Sequence, residues 1–285
     1  MTNVNALECN PFLTLRDGTT IITPEKAIED HFRRCADHAR KRFGQAVRPL
    51  YLPDQRGRPV GVASATLLEF DGLPLLATAA HALKTPGLLL GGADTLIPLP
   101  NEFWRSNGGG EAADKIDLAV ASLSEAQRAA LDGLPFIGSA DWMRATATYN
   151  RYALAVGYRA SQNKAPFASS RSLRPKRWSF TGFTGEIPKS GGYGDRNLAL
   201  EYSKRAVRES GQLVSTTPPH GLSGGPIFDL GDTLCVDQLC AVEPHPARLT
   251  GILIECPTQG GILIGTKVEV LRDYARRASA LSARR

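Results

Sequence analysis

The sequence predicts a mainly β protein, a barrel or a sandwich, with one helix before the strands and one after them. Short apolar runs separated by turn residues recur from Val47 to Val268, and this texture is typical of barrels and sandwiches, not of parallel sheets. The runs form two groups, about 47–145 and 146–267, which favours two small barrels. At 285 residues, the chain is long enough to bury a sizeable core.

The first helix is predicted over about 24–43, within a helical extension that covers residues 1–46. Thr23 is a good N-cap, Pro24 suits the first helical position, and Gly44 ends the apolar pattern. We expect His31 and His38 to lie on the exposed surface of this helix. The apolar stripe that should dock on the rest of the protein consists of Ile28, Phe32, Cys35, Ala39 and Phe43.

A β-hairpin is the best-defined feature of the first group. Residues 60–70 and 73–77 have the composition of strands, and Asp71-Gly72 between them is typical of a two-residue hairpin turn. Ser124 and Gln127 have the spacing of a capping box, which predicts a short helix up to about Leu131. Further strands are expected at 88–90, 96–99 and 116–123.

The second group predicts seven strands followed by a helix. Segments 161–177 and 184–196 are rich in Ser, Gly, Pro and basic residues, so we expect loops there. Residues 268–281 form the expected terminal helix, which has a basic end. The expected strands are 152–158, 178–183, 197–202, 212–215, 226–230, 249–255 and 262–268.

The composition is that of an ordinary soluble protein, with 42% hydrophobic and 22% charged residues. No apolar run reaches the roughly 18 residues that a membrane span needs, and the N-terminus lacks the pattern of a signal peptide. We therefore expect no membrane partner. The net charge is +6, but apart from small clusters such as 171–177 and the tail the basic residues are scattered. A solvated surface is therefore expected, with no specific nucleic-acid partner.

The cysteines are odd in number and irregularly spaced. Cys235 and Cys240 have no matching Cys or His pair, so we expect no zinc site, and the sequence indicates no cofactor. We expect all the cysteines to be reduced thiols and most of them to pack in the hydrophobic core. Reduced thiols and the missing signal peptide together predict a cytoplasmic protein. The five cysteines are Cys9, Cys35, Cys235, Cys240 and Cys256.

Residues 220–226 read His-Gly-Leu-Ser-Gly-Gly-Pro and contain the candidate nucleophile, Ser223. A reactive serine needs a tight turn that exposes its hydroxyl and backbone N–H groups aimed at the oxyanion it creates. Glycines supply the backbone conformations and the close approach of such a turn. A serine of this kind also needs a histidine and a carboxylate from elsewhere in the chain.

His81 and Asp117 are the candidates for these two roles. His81 follows a buried-looking strand that ends in the small residues Ala79 and Ala80, which would let the imidazole pack closely. Asp117 directly precedes an apolar strand. It is either a turn residue at the strand edge or a half-buried acid that accepts the other imidazole N–H and fixes the tautomer.

T-A-A-H at 78–81, D-L-A-V at 117–120 and G-L-S-G-G-P at 221–226, in this order, resemble the three motifs of the chymotrypsin/trypsin superfamily of serine proteases. The resemblance covers about residues 47–281. It implies a trypsin-like domain over 47–285, in which two six-stranded antiparallel β-barrels, about 47–145 and 146–267, precede a C-terminal helix at about 268–281. The active site would lie in the cleft between the barrels.

The resemblance also assigns roles to residues of this chain. His81, Asp117 and Ser223 would be the catalytic triad, and the N–H groups of Gly221 and Ser223 the oxyanion hole. The expected function is therefore serine endopeptidase activity on a protein or peptide substrate through an acyl-enzyme. The alternative is a catalytically silent binding protein of the same fold.

Two positions depart from the pattern of secreted trypsins. Ala82 stands where those proteins have a cysteine, which fits a reducing compartment. Leu222 stands where trypsin-like zymogens have an aspartate, which forms a salt bridge with the N-terminus created by the activation cleavage. In this respect the chain resembles bacterial proteases of the glutamyl-endopeptidase and HtrA types. Any control of activity would come from elsewhere, for example a regulatory protein partner in a stress or defence pathway.

The resemblance implies a substrate pocket with Thr217 at its base and walls formed by Ile254, Glu255 and Leu263. Thr217 replaces the aspartate that makes trypsin select Arg or Lys. A threonine base and a leucine wall favour a small or uncharged side chain at the cleavage position. Glu255 could still recruit a basic side chain, and His220 an acidic one.

Overall fold

The computed structural model describes residues 12–14, 20–106, 115–146, 150–163, 175–188, 191–202, 205–207, 213–215, 219–235, 243–257 and 261–282. Most of these residues belong to one β-sheet, one closed β-barrel and a helix at each end. Two short hairpins lie outside the two large units. They are β1 (Phe12–Thr14) with β2 (Thr20–Ile22), and β14 (Arg205–Val207) with β15 (Leu213–Ser215).

The N-terminal helix, α1, spans Pro24–Phe43 and confirms the predicted element and its bounds. The Thr23 hydroxyl accepts a hydrogen bond from the Lys26 N–H, as an N-cap does. The apolar stripe docks on the barrel, where Phe43 stacks on Phe228 with ring centroids 4.9 Å apart. Aromatic stacking adds to the free energy gained by burying both rings.

The prediction for the two helix histidines was wrong for His31. The His31 side chain is only 1% exposed, whereas His38 is exposed as expected. His31 lies four residues before the buried Cys35, so the two share one helix face, and His31 Nε2 lies 3.4 Å from Cys35 Sγ. The buried face of α1 is therefore wider than the apolar stripe indicates.

The first large unit is an eight-stranded sheet around the long strand β4. Its predicted hairpin is confirmed: β4 pairs antiparallel with β5, and Asp71 and Gly72 have φ values of 50° and 77°. Both turn residues therefore have the positive φ that a type I′ turn requires. The strands are β3 (Val47–Pro53), β4 (Pro59–Phe70), β5 (Leu73–Ala79), β6 (Leu89–Gly91), β7 (Leu96–Pro98), β8 (Trp104–Arg105), β9 (Leu118–Ser122) and β10 (Ile137–Gly138).

The order of strands in this sheet is β7-β6-β3-β4-β5-β9-β8, and β10 pairs in parallel with β4. Within the described ranges the sheet does not close into a barrel. The short helix α2 (Glu125–Ala130) follows β9 and has the predicted capping box between Ser124 and Gln127. The important consequence for the site is that β4, β5 and β9 are adjacent.

The second large unit is a closed six-stranded antiparallel barrel, as the resemblance implies. The order of its strands is β11-β12-β13-β18-β17-β16, and β16 pairs with β11 to close it. Together with the first sheet and the two terminal helices, it confirms the predicted fold class, all-β with one helix before the strands and one after them. Of the two barrels that the resemblance implies, the second is closed, and the first is an open eight-stranded sheet within the described ranges. The strands are β11 (Arg151–Tyr158), β12 (Arg177–Gly185), β13 (Asn197–Glu201), β16 (Pro226–Asp232), β17 (Arg248–Glu255) and β18 (Ile262–Lys267).

The C-terminal helix, α3 (Val268–Ser282), packs across both units. Leu271 and Ala275 are fully buried in a core cluster that also contains Val120 of the first sheet and Leu249 of the barrel. Burial of apolar surface contributes about 25 cal/mol per Å², so this shared core stabilises the mutual orientation of sheet and barrel. A site that draws residues from both units therefore has a rigid frame.

Candidate active site

Adjacent strands bring His81 and Asp117 together. Strand β5 runs directly into a short 3-10 turn, Ala80–Lys84, that contains His81, and β9 begins one residue after Asp117. β5 and β9 pair antiparallel, and the Ala80 N–H donates to the Asp117 carbonyl at 2.9 Å. Two residues that are 36 positions apart in the sequence are therefore neighbours because of strand pairing.

The carboxylate of Asp117 contacts His81 at two points. Oδ2 lies 2.5 Å from His81 Nδ1, and Oδ1 accepts the backbone N–H of His81 at 2.8 Å. Asp117 itself has φ of 44°, a left-handed conformation that is uncommon for a residue with a side chain. These contacts fix the orientation of the imidazole, and because Nδ1 faces the acid, Nε2 is the nitrogen that remains to accept a proton.

The environment raises the pKa of His81 above its ordinary value of 6.5. The hydrogen bond to Asp117 is the largest cause, burial opposes it, and the Asp117 charge adds to the increase. Lys84 lowers the pKa and Glu255 raises it by smaller amounts. The His81 side chain is 43% exposed, so it can reach a bound molecule. A raised pKa lets the His81 imidazole accept a proton from a neighbouring group and hold it during a reaction step, as a general base does.

Ser223 lies in a tight turn that immediately precedes β16. Gly221 and Gly224 on either side of it have φ of 94° and 91°, which only glycine adopts without strain. The Gly225 N–H donates to the Leu222 carbonyl at 2.9 Å and closes the turn. Among the described residues, neither the Gly221 N–H nor the Ser223 N–H donates to a backbone carbonyl.

Strand β4 holds this turn from the side of the first sheet. The Ser64 N–H donates to the Ser223 carbonyl at 2.9 Å, and the Ser64 hydroxyl donates to the Gly221 carbonyl at 2.8 Å. The same hydroxyl accepts the Tyr158 N–H at 2.8 Å. Ser64 is fully buried, so these hydrogen bonds are shielded from water.

Two threonines extend this network toward His81. The Thr66 hydroxyl donates to the Gly224 carbonyl at 2.9 Å, and the Thr78 hydroxyl donates to the Ser64 carbonyl at 2.8 Å. Thr78 lies three residues before His81 on β5. The network therefore ties the Ser223 turn to the strand that leads to His81.

The two glycines after Ser223 are required by close packing. A Cβ on Gly224 would lie 1.9 Å from the Ser64 carbonyl oxygen, and a Cβ on Gly225 would lie 2.0 Å from the Val156 carbonyl oxygen. Neither backbone oxygen can move aside without breaking a strand. Gly224 allows contact with the first sheet and Gly225 with the barrel, which explains the Ser-Gly-Gly sequence.

The predicted pocket residues differ in their surroundings. Thr217 lies outside the described residues. Leu263 is fully buried in a cluster with Leu198, and Ile254, 1% exposed, packs in a different cluster with Ile264. These two side chains do not lie in one cluster.

Glu255 is half-buried, and its charge reaches His81. The Tyr193 hydroxyl donates to Glu255 Oε2 at 2.7 Å, and the Lys115 ammonium lies over the Tyr193 ring. Burial, followed by the hydrogen bond to Glu255, raises the pKa of Tyr193. Tyr193 therefore orients one carboxylate oxygen of Glu255.

Sequence reasoning missed Ser64, Thr66, Thr78 and Tyr193 as parts of this site. The first three lie on buried strands, where small hydroxyl residues have no sequence signal that separates them from ordinary strand positions. Their role depends on a turn more than 140 residues away in the sequence.

The described residues include no group of three or more His, Cys, Asp and Glu placed to hold a metal ion. No helix in the described part of the chain is long and apolar enough to cross a lipid bilayer. Cys35, Cys235 and Cys256 are free thiols, and Cys9 and Cys240 lie outside the described residues.

Comparison with known proteins supplies likeness of fold only. No family model matches the sequence, and no curated protein matches it. Among solved structures, a serine endoprotease from Yersinia pestis is 15% identical with a TM-score of 0.49, over 85% of this chain and 66% of that chain. This chain thus spans just under two thirds of that protein.

A thermostable serine protease, AL20, from an extremophilic microorganism is 14% identical with a TM-score of 0.46. The match covers 82% of this chain and 97% of that one. Both of these proteins are serine proteases. Likenesses of this size do not establish a shared activity.

Proposed function

We propose that this protein is a serine endopeptidase in which His81, Asp117 and Ser223 form the catalytic triad. The observation that supports this proposal most directly is the two-point contact between the Asp117 carboxylate and His81. A turn residue at a strand edge does not need a carboxylate that accepts both the backbone N–H and the ring Nδ1–H of one histidine. A catalytic acid that orients a base does.

In the proposed reaction, His81 Nε2 takes the proton of the Ser223 hydroxyl while Ser223 Oγ attacks the substrate carbonyl. The negative charge that develops on the carbonyl oxygen is stabilised by the N–H groups of Gly221 and Ser223. His81 then gives the proton to the leaving amine, and the acyl group stays on Ser223. A water molecule, deprotonated by His81, hydrolyses this ester and restores the serine.

The substrate in this proposal is a protein or peptide. For the side chain at the cleavage position we retain the prediction of a small or uncharged group on the basis of Thr217, because Leu263 is fully buried in the barrel core. Glu255 supports a competing preference for Arg or Lys, because it has one carboxylate oxygen bound to Tyr193 and lies near His81. Cleavage profiling with a peptide library distinguishes the two preferences.

Control by a protein partner and a cytoplasmic location also remain proposals. Leu222 supports the first, since a leucine cannot form the salt bridge that switches trypsin-type zymogens. The three described free thiols support the second, because disulfides are rare in reducing compartments.

Covalent labelling with a fluorophosphonate tests the proposed reaction. The folded protein should react at one site, and Ser223→Ala should abolish both labelling and peptide hydrolysis, with kcat falling by about 10⁶. Ser122→Ala is a matched control, since the Ser122 hydroxyl donates to the Ala278 carbonyl of α3. An unlabelled, correctly folded wild type would instead support the catalytically silent binding protein.

A further inference from the structure

A cavity that contains none of the proposed triad residues lies where the end of α1 meets β3, β11 and the start of β12. Its volume is about 800 Å³, within the range of small-molecule sites. Four cationic side chains line it, and no carboxylate does so among the described residues. These cations are Arg40, Arg48, Lys176 and Arg177.

Arg48 is the most buried of the four, with 8% of its surface exposed. Its guanidinium donates to the backbone carbonyls of Gly91, at 2.6 Å, and Gly92. Both partners are neutral, so the hydrogen bonds fix the side chain but do not balance its charge. Burial lowers the pKa of Arg48, and the charge of Arg177 lowers it further. Buried charges are ordinarily paired.

Arg177 is held at the C-terminal end of α1. A Cβ on Gly44 would lie 2.5 Å from the Arg177 Cζ, so the guanidinium lies against the bare backbone of that glycine. The helix end supplies about half of a negative charge. This partial charge is too small to balance Arg177 and Arg48 together.

The segment with Lys176 and Arg177 is also fixed in place. Asn163 is 5% exposed, accepts the Lys176 N–H at 2.8 Å and donates to the Lys176 carbonyl at 3.1 Å. The fourth cation, Arg40, donates to the Ser179 hydroxyl and pairs with Asp37, a residue of α1 whose side chain is 66% exposed. The cavity is therefore a preorganised cationic site, and Asp37 is its one solvent-exposed counterion among the described residues.

We propose that this cavity binds a small molecule that carries two or more phosphate groups. Guanidinium groups match phosphate oxygens with paired, charge-assisted hydrogen bonds, and several phosphates would balance the cationic charge that the fold gathers here. The Trp178 ring at the cavity already stacks with Arg159, whose Cζ lies 3.9 Å from the ring centroid. We therefore assign recognition to the phosphates and not to stacking with a base.

Calorimetric titration of the full chain at physiological ionic strength tests this site, with inorganic tripolyphosphate and ATP as separate probes. We expect saturable, equimolar binding of at least one probe. Arg177→Gln should weaken it at least about tenfold through the loss of charge-assisted hydrogen bonds. Arg128→Gln, an exposed arginine on α2, is the matched control and should bind as the wild type does.

The Gly44→Ala variant tests whether binding depends on the position of the Arg177 guanidinium or only on the overall positive charge of the protein. Its methyl group would displace the Arg177 guanidinium without changing the charge of the protein, and we expect weaker binding. Tighter binding of ATP than of tripolyphosphate would identify a nucleotide as the ligand class. Tripolyphosphate binding that equals or exceeds that of ATP would show that the phosphates alone are recognised. Failure of both probes to bind folded protein, or equal weakening by Arg177→Gln and Arg128→Gln, would overturn the proposal. Binding of an acidic peptide in place of both probes would overturn it too.

Discussion

The side-chain hydroxyl of Ser64 donates to the backbone carbonyl of Gly221 at 2.8 Å. This bond joins a strand of the first sheet to the turn that contains Ser223, across 157 positions of the sequence. Because Gly221 is also a proposed oxyanion-hole residue, Ser64 is a positioning residue: it acts through the turn and does not touch the reacting atoms.

Ser64→Ala should lower kcat/KM by about 10²-fold, the size of effect expected when a reacting group is displaced by about 1 Å. The substitution leaves the Gly221 carbonyl and the Tyr158 N–H without their buried partner, at a cost of about 1–3 kcal/mol each. The rate of fluorophosphonate labelling, measured well below the melting temperature, reports the loss per folded molecule.

Ser279→Ala is the control for this experiment. Its hydroxyl donates to the Ala275 carbonyl within α3, so only a small loss of stability is expected. A Ser64→Ala protein that is destabilised but labels at the wild-type rate would show that Ser64 has a structural role alone.

Gly224→Ala should prevent the Ser223 turn from forming. The new methyl group would overlap the Ser64 carbonyl oxygen and lie 2.5 Å from the Thr78 hydroxyl, at a φ of 91°. We expect a loss above about 4 kcal/mol in the free energy of unfolding and no labelling. Chemical denaturation of the purified variant measures the first quantity.

Gly57→Ala is the matched variant, since Gly57 has φ of 71° and nothing within 4 Å of its Cβ position. It should lose only the roughly 1–2 kcal/mol of a left-handed alanine. Equal losses in the two variants would mean that backbone conformation, and not the approach of β4, explains the glycine at 224.

The pH dependence of activity should follow His81. Because its pKa is raised above 6.5, the base is protonated and inactive below that raised pKa, so the acid limb of kcat/KM should lie above pH 6.5. Asp117→Asn should lower kcat by about 10⁴ and move the limb of the residual activity to lower pH. Rate profiles for both proteins, with Asp273→Asn as an exposed control, measure this shift. An unchanged limb in Asp117→Asn would contradict the proposed pairing.

Stability should have an acid-sensitive component from His31. Burial, then the charges of Arg34 and His245, lowers the pKa of His31, so the folded state binds this proton less readily than the unfolded state. The free energy of unfolding should therefore be unaffected by His31 above pH 6.5 and should decrease as the pH falls below that value. The total decrease is about 1.4 kcal/mol for each unit by which folding lowers the pKa of His31. Burial also lowers the pKa of His245. The charge of Asp229 opposes this decrease, and the charges of Arg151 and Arg248 add to it.

Denaturant unfolding above and below pH 6.5 checks this dependence. His31→Leu should flatten the acid side of the profile, whereas His38→Gln, an exposed change on the same helix, should leave it unaltered. A wild-type profile that stays level through this range would contradict a neutral, buried His31.

Local rules determined most of the secondary structure of this protein. Thr23, Pro24 and Gly44 fixed both ends of α1, and Asp71-Gly72 fixed the hairpin between β4 and β5, because capping and turn geometry depend on a few neighbouring residues. The order of the histidine, aspartate and serine motifs was enough to predict the fold class and to nominate the triad.

The tertiary structure alone decided the surroundings of those residues. Ser64 and Thr66 support the Ser223 turn because the barrel packs against β4. His31 is buried because α1 docks on the barrel. Arg48 and Arg177 line one cavity because β3 of the first sheet packs beside β12 of the barrel. Periodicity predicts which residues share a face of one element. These contacts depend instead on which elements pack together, and that packing buries one core that residues of both units share.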